Sequence, residues 1–425
     1  MFYDVIVIGA GLAGFTAAES AASTGARVLL LAKGLGTLPL ATGCIDVLGY
    51  TSGDSQVFLA APISGVKNLP AHHPYSQMGL EEIKAALSNF QKITESEDYP
   101  YKGSGDANIL LPTSIGTPHP TCLVPETFQH GDLSIPGSVL LLGFEGFKDF
   151  FPQFAANNLN IFHKKGGSAS TFRWALMKRP DLGGKAINAL TLAQAFERKD
   201  FREHFAEEAR SFLSPGERLG IPAVLGGRSS VGVWMEMQER IGAKIFEIPL
   251  PPPSVPGLRL HNLLKAHLRK RGGRLFIGFL NLTPRIEKSR IVGLTFGEPR
   301  KNVCYRASAF VLATGQFVGG GLDSERNRIF ETLFALPVRY PENRQEWFHP
   351  ALLTPEGQPF NGFGVEVNQN LQPVDLRGQV VFANLFAAGG IIAHGDSMTE
   401  KSGGGIAIST GYMAGKYAAA FAKNH

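Results

Sequence analysis

The chain opens with "MFYDVIVIGAGLAGFTAAESAASTGARVLLLAKG", residues 1–34, and no later stretch restricts its fold as much. "DVIVIG" is an apolar, β-branched run closed by glycine, the pattern of a buried strand. "LAGFTAAESAAST" is built mostly of helix formers, with Gly25 where a helix C′ residue belongs. "ARVLLLA" returns as a second buried strand. Strand, glycine turn, helix and strand make one βαβ unit, and in that setting Gly9-x-Gly11-x-x-Gly14 reads as a dinucleotide-type turn. Gly9 permits the turn, Gly11 lets a phosphate approach the backbone, and Gly14 lets helix and strand pack closely. The helix N-terminus adds free N–H groups and partial positive charge. A tight βα turn without a ligand is the alternative.

The end of the second strand qualifies this reading. A ribose-binding Asp or Glu is expected there, and Ala32 and Lys33 stand instead. Lysine carries donors and no acceptor, so it pairs with a phosphate or faces solvent. This argues against an ordinary NAD site and loosens the adenosine half of an FAD site. A flavin held mainly by its phosphate and ring fits better.

At 425 residues the chain has room for two or three domains. Its net charge of +5 is modest, and its basic residues are not interleaved with aromatics along a stripe, so nucleic acid is not indicated as a partner. A mild positive field suits a small anionic substrate or an anionic membrane face. Cys44, Cys122 and Cys304 are far apart and form no CxxC, which points away from a disulfide framework and from a metal or iron–sulfur site built by this chain alone. The N-terminus lacks a basic n-region and Glu19 interrupts it. No segment supplies the ~18 consecutive apolar residues of a spanning helix. The expected compartment is the cytoplasm.

Further along, Ala41, Thr42, Gly43 and Cys44 are small residues beside which backbone can approach a flat ring. Cys44 reads either as packing or as a redox residue. From 51 to 250 the texture changes to turns and mixed elements. These include an amphipathic stretch near Leu80–Ile93, a strand–glycine–helix unit at "GSVLLLGFEGFKDFFPQFAA" and the helical "INALTLAQAFERKDFREHFAEEARSFL". The prolines of "PPPSVP" bar a helix through 251–256. Leu260, Leu263, Leu264 and Leu268 then mark one helix face. Arg259 and His261, near the start of that helix, face either solvent or a cleft.

"RASAFVLATGQFVGGGLDSERN" reads as a buried strand running into Thr314-Gly315, where a ring or phosphate could lie against backbone. After a last strand, "VVFANLFAAGG", comes a polar loop and an Ala-rich helix opened by Ser402 and Gly403, Gly404 and Gly405. Its N–H groups could face a flavin ring, or Ser402 could cap the helix with the glycines there for packing. The expected fold is α/β: a discontinuous Rossmann-like flavin-binding domain, 1–50 plus 251–425, with an inserted α/β capping domain, 51–250.

These pieces together resemble the glutathione-reductase-type flavoproteins of the fumarate-reductase group. More specifically they are similar to the B subunits of anaerobic glycerol-3-phosphate dehydrogenases. The resemblance runs over most of the chain and is carried by "HPYSQMG" (73–79), "PPSVPGLRL" (252–260), "ATGQFVGGGLDSERN" (313–327), "NLFAAGG" (384–390) and "SGGGIAISTG" (402–411). It implies a flavin, FMN in that family with FAD the alternative, and oxidation of sn-glycerol 3-phosphate to glycerone phosphate. It also implies two partners: a larger FAD-containing catalytic subunit, and an iron–sulfur subunit that docks the assembly on the membrane and passes electrons to quinone. The cofactor-binding candidates are Gly9, Gly11, Gly14, Lys33, Thr42, Gly43, Thr314, Gly315, Gly389, Gly403, Gly404 and Gly405.

Oxidising a secondary alcohol with a flavin needs a base for the hydroxyl proton and cations for a phosphate. His394 or His261 is the candidate base, with Arg259, Arg326 and Lys401 as cations. His394 is preferred because it sits in the glycine-rich loop before the last helix. Two other readings stay open: an electron-relay or scaffold subunit without its own dehydrogenation site, and a free-standing fumarate-reductase-like FAD oxidoreductase.

Overall fold

The structure, a computed structural model, describes residues 2–51, 57–166, 170–278, 282–296 and 303–425. In chain order, the first elements are β1 (Phe2–Ile8), α1 (Leu12–Ala22), β2 (Val28–Ala32) and α2 (Leu80–Ser96). There follow β3 (Ser138–Phe144), α3 (Pro152–Gly166), β4 (Thr171–Met177), α4 (Ala189–Phe196) and α5 (Lys199–Phe212). Next come β5 (Arg218–Pro222), α6 (Ser230–Ile241), β6 (Ile245–Ile248) and α7 (Val255–Lys270). The last are β7 (Arg274–Ile277), β8 (Leu282–Glu287), β9 (Arg290–Phe296), β10 (Val303–Leu312), β11 (Leu385–Ala387) and α8 (Gly403–Asn424).

Two compact units emerge. The first comprises Met1–Thr37, Ile45–Ile93 and His261–His425, and the second Leu38–Cys44 and Thr94–Leu260. Residues 51–93 therefore group with the glycine turn and not with an insertion starting at 51. The reason is local: α2 turns Ile83, Ala86, Leu87 and Phe90 inward, and Asn89 donates to the Glu19 carboxylate of α1 at 3.1 Å.

The sheet of the first unit runs β7-β2-β1-β10-β9-β8, with β11 also beside β10. β7, β2, β1, β10 and β11 are parallel, whereas β9 and β8 join antiparallel. Burial on both faces explains the apolar run at residues 5–8 of β1 and the whole of β2. Strand order reverses between β1 and β10, so the loops leaving the carboxyl ends of the parallel strands flank a topological switch point, where α/β sheets bind ligands. α8 packs on α1 at backbone distance: a Cβ at Gly411 would lie 2.5 Å from the Ala13 carbonyl oxygen, and one at Gly415 2.3 Å from that of Ala17.

The second unit is a four-stranded parallel sheet, β6-β5-β3-β4, in which α3 and α6 are crossover helices and α4–α5 form a third connection. Val139, Leu140, Leu141, Phe196, Phe205 and Met237 centre its core. Cys44 is packed with Leu111, Val124, Phe128 and Ala223, which is the packing reading of that residue.

The proline run bars less helix than its composition suggests. α7 begins at Val255, so Pro256 occupies the first turn, where its missing N–H costs nothing.

Candidate functional site

The glycine turn has the geometry its spacing predicts. Gly9 sits at φ +116°, and a Cβ there would lie 2.1 Å from the Ala313 carbonyl oxygen at the end of β10. A Cβ at Gly14 would lie 1.8 Å from the Gly9 carbonyl oxygen. Those two glycines are required by protein packing. Gly11 is not: it has ordinary extended backbone, and a Cβ there meets nothing within 4 Å. Its open side adjoins the start of α1, which no described side chain caps. Open backbone beside uncapped helical N–H groups is the arrangement that accepts a phosphate.

The loops after the neighbouring strands carry matching features. Gly36, Gly315 and Gly389 all have positive φ. Gly36 lies on the Gly11 backbone, and Gly389 lies against Ala13 of α1 while its N–H donates to Thr410 Oγ1 at 2.8 Å. The Thr314 hydroxyl is buried without a hydrogen-bond partner among the described residues. Lys33 is exposed at the end of β2, with a Cβ at Gly320 placed 3.8 Å from its Nζ. An open phosphate seat, an orphaned hydroxyl and glycine-lined loops fit a flavin nucleotide. Gly11, Lys33, Thr314 and Gly315 would hold it, on a turn whose shape Gly9, Gly14 and Gly389 make possible.

The other cofactor candidates stand differently. Thr42 and Gly43 belong to the second unit, where Thr42 Oγ1 accepts from Cys44 N and the Gly43 carbonyl from the Tyr101 hydroxyl at 2.6 Å. Gly43 is a glycine because Pro256 lies 2.6 Å from where its Cβ would be. Gly403, Gly404 and Gly405 also have packing reasons. Cβ atoms there would lie 3.1 Å from Ser397 Cβ, 3.1 Å from Asp46 N and 2.1 Å from the Tyr75 hydroxyl respectively. The Gly405 N–H is already spent on the Asp46 carbonyl at 2.8 Å. Ser402 does not cap the helix; its hydroxyl donates to Glu400 Oε2 at 2.9 Å.

A cleft of about 610 Å³ opens in the first unit, lined by His72, Arg339, Tyr340, Phe363, Glu366, His394, Asp396 and Glu400 among others. His394 follows the β11 loop and holds the left-handed conformation, φ +72°, which is uncommon outside glycine. Its N–H donates to the Gly362 carbonyl at 2.9 Å, its Nε2 lies 3.2 Å from Glu366 Oε1, and its ring stands 4.3 Å from that of His72. Burial pulls the His394 imidazole below its ordinary pKa, partly offset by the Glu366 hydrogen bond. It is therefore a neutral ring at pH 7, able to accept a proton.

Beneath the cleft lies the "HPYSQMG" segment. His73 Nδ1 accepts from Tyr75 N at 3.1 Å, which leaves Nε2 to donate to Glu400 Oε2 at 3.2 Å. The Tyr75 hydroxyl donates to the Val47 carbonyl at 2.8 Å. This buried network fixes the wall from which Glu400 faces the cleft.

The remaining sequence candidates do not line this cleft. Arg259 is buried in the second unit with each of its three guanidinium nitrogens engaged: Glu247 at 2.6 and 2.9 Å, and the Gly226 carbonyl at 2.8 Å. Burial works against its charge, but the Glu247 carboxylate outweighs this and raises its pKa. It is a structural cation, not a phosphate clamp. His261 is buried edge-on to Phe15 at 5.2 Å, and burial, then Lys265, lowers its pKa. Arg326 is exposed on the turn between Leu322–Ser324 and Ile329–Glu331, and Lys401 donates to the Met398 carbonyl at 2.7 Å, closing its own short helix. The cleft cation is instead Arg339, which the sequence reading did not single out; nor did it single out His72 or Glu366. The doublet His72-His73 before Pro74 was the available signal for one of them.

A family model described as FAD binding domain matches residues 4–406. The chain is 34% identical to the B subunit of a probable anaerobic glycerol-3-phosphate dehydrogenase of Halobacterium salinarum, over 98% of this chain and 97% of that one. It is 28% identical to the B subunit of the anaerobic glycerol-3-phosphate dehydrogenase of Pectobacterium atrosepticum, covering 96% of each. Among solved structures, E. coli quinol fumarate reductase aligns with 100% of this chain and 71% of its own, at 12% identity and a TM-score of 0.44. No described helix is long and apolar enough to cross a membrane.

Proposed function

The chain belongs to the FAD binding domain family and, within it, to the B subunits of anaerobic glycerol-3-phosphate dehydrogenases, and from that premise we propose that it is the subunit that oxidises sn-glycerol 3-phosphate to glycerone phosphate in such a complex. It is a flavin-dependent oxidoreductase. The observation that carries the reading is the near-full-length likeness to those B subunits, and the cleft beside the β11 loop supports it.

A flavin held there would supply the hydride acceptor for oxidation at the carbinol carbon. The chain's own task is to take the hydroxyl proton and hold the phosphate. His394, neutral and facing the cleft, takes the proton, and Arg339 faces the phosphate. The flavin is FMN in preference to FAD, because Lys33 replaces the ribose acceptor while the phosphate seat at Gly11 is intact. Electrons leave through a larger FAD-containing subunit and an iron–sulfur subunit to quinone, and those partners hold the chain at the cytoplasmic face of the membrane.

The test is anaerobic bleaching of flavin absorbance by sn-glycerol 3-phosphate in the assembled complex. His394→Ala is expected to slow it by roughly 10²–10⁴-fold, the usual contribution of a general base. Bleaching at the wild-type rate would place the oxidation on a partner and leave this chain an electron relay.

A further inference from the structure

We propose that Glu366 is a positioning residue that sets the tautomer of His394. The inference rests on the cleft being the alcohol site, but its first test does not. An ionised carboxylate only accepts, so Glu366 Oε1 at 3.2 Å from Nε2 requires the proton of a neutral imidazole to sit on Nε2. Nδ1 is then the bare nitrogen, and it is the atom left to take a proton from a substrate hydroxyl. The left-handed backbone at His394 and the His72 ring at 4.3 Å restrict where the imidazole can turn.

The other carboxylates of the cleft are otherwise engaged. Asp396 Oδ1 accepts from the N–H groups of Met398 and Thr399 at 3.1 and 3.2 Å, and Glu400 Oε2 accepts from His73 and Ser402. Arg339 Nε is 3.8 Å from the same Glu366 oxygen. Arg339 and His72 both disfavour a charge on His394, and Glu366 favours it. Arg339–Glu366–His394 is thus a chain in which one carboxylate orients the base and keeps it basic enough to accept.

The experiment uses the full chain loaded with flavin and labelled with ¹⁵N-histidine, His394 being assigned from the spectrum of His394→Gln. The wild type is expected to show Nε2 protonated and Nδ1 bare at neutral pH. Glu366→Leu is expected to mix the tautomers and to move the His394 titration to lower pH, because a group favouring the charged ring is gone. In the assembled complex the same substitution is expected to lower kcat on the order of tenfold with KM little changed, and to move the acid limb of the pH profile to lower pH. Protonated Nδ1 in the wild type, or an unchanged tautomer in Glu366→Leu, which removes the acceptor that Gln keeps, would overturn the proposal. So would an altered tautomer with unchanged turnover in a complex that His394→Ala inactivates. If His394→Ala leaves bleaching intact, the functional reading fails instead, and the tautomer result stands or falls by itself.

Discussion

Gly9→Ala is expected to destabilise the chain by about 2–6 kcal/mol and to abolish flavin retention. Two costs add. The backbone at φ +116° lies where a side chain is strained by about 1–3 kcal/mol. The new methyl would also sit 2.1 Å from the Ala313 carbonyl oxygen, forcing β10 away from the turn at a further ~1–3 kcal/mol. Against a typical domain stability of about 5–15 kcal/mol, that is a large share. Gly11→Ala separates structure from binding. Its Cβ meets no atom of the described residues within 4 Å, so stability should change by less than about 1 kcal/mol while the seat for the phosphate is filled. Urea midpoints with and without flavin, together with the absorbance retained after gel filtration, measure both. Equal losses of stability in the two variants would contradict the assignment of Gly11 to a ligand.

Breaking the Arg259–Glu247 pair is the second large effect. Both side chains are buried, and the carboxylate also accepts from the Thr127 hydroxyl at 2.7 Å and from Leu225 N at 2.7 Å. Arg259→Met leaves Glu247 with those two donors and no countercharge. Glu247→Gln leaves the guanidinium buried without one. Each is expected to cost about 3–5 kcal/mol, and the double replacement distinctly less than their sum, since neither charge is then stranded. A double-mutant cycle on denaturant unfolding measures the coupling. If Arg259 were instead a substrate cation, Arg259→Met would raise KM and leave stability unchanged.

Arg259 also shows where sequence reading stops. Its partner lies on a strand in "IFEIPL", and nothing in either segment reveals that the two pair until the second unit is folded. Local pattern does reach the βαβ unit, because apolar periodicity and three glycines at fixed spacing have one economical solution. It puts His394 on the loop that follows a buried strand, and that loop lines the cleft. It does not reach the cleft as a whole, since His72, Arg339 and Glu366 come from separate loops with no periodic signal. Gly403–Gly405 illustrate the converse. Three glycines at a helix start suggest an open anion seat, yet Tyr75 excludes a Cβ at Gly405, and Ser397 and Asp46 lie close against Gly403 and Gly404. A glycine required by packing and one left open for a ligand look alike in sequence, and only the atoms around the missing Cβ tell them apart.

The central claim is that the Gly9–Gly14 turn seats a flavin. The most direct measurement is to purify the chain, record its visible spectrum, denature it and identify the released flavin by chromatography, adding flavin back to any colourless preparation. One equivalent of FMN is expected, lost in Gly11→Ala while the fold is retained. Release of FAD would overturn the FMN reading, and a folded chain that neither carries nor takes up any flavin would contradict the claim itself.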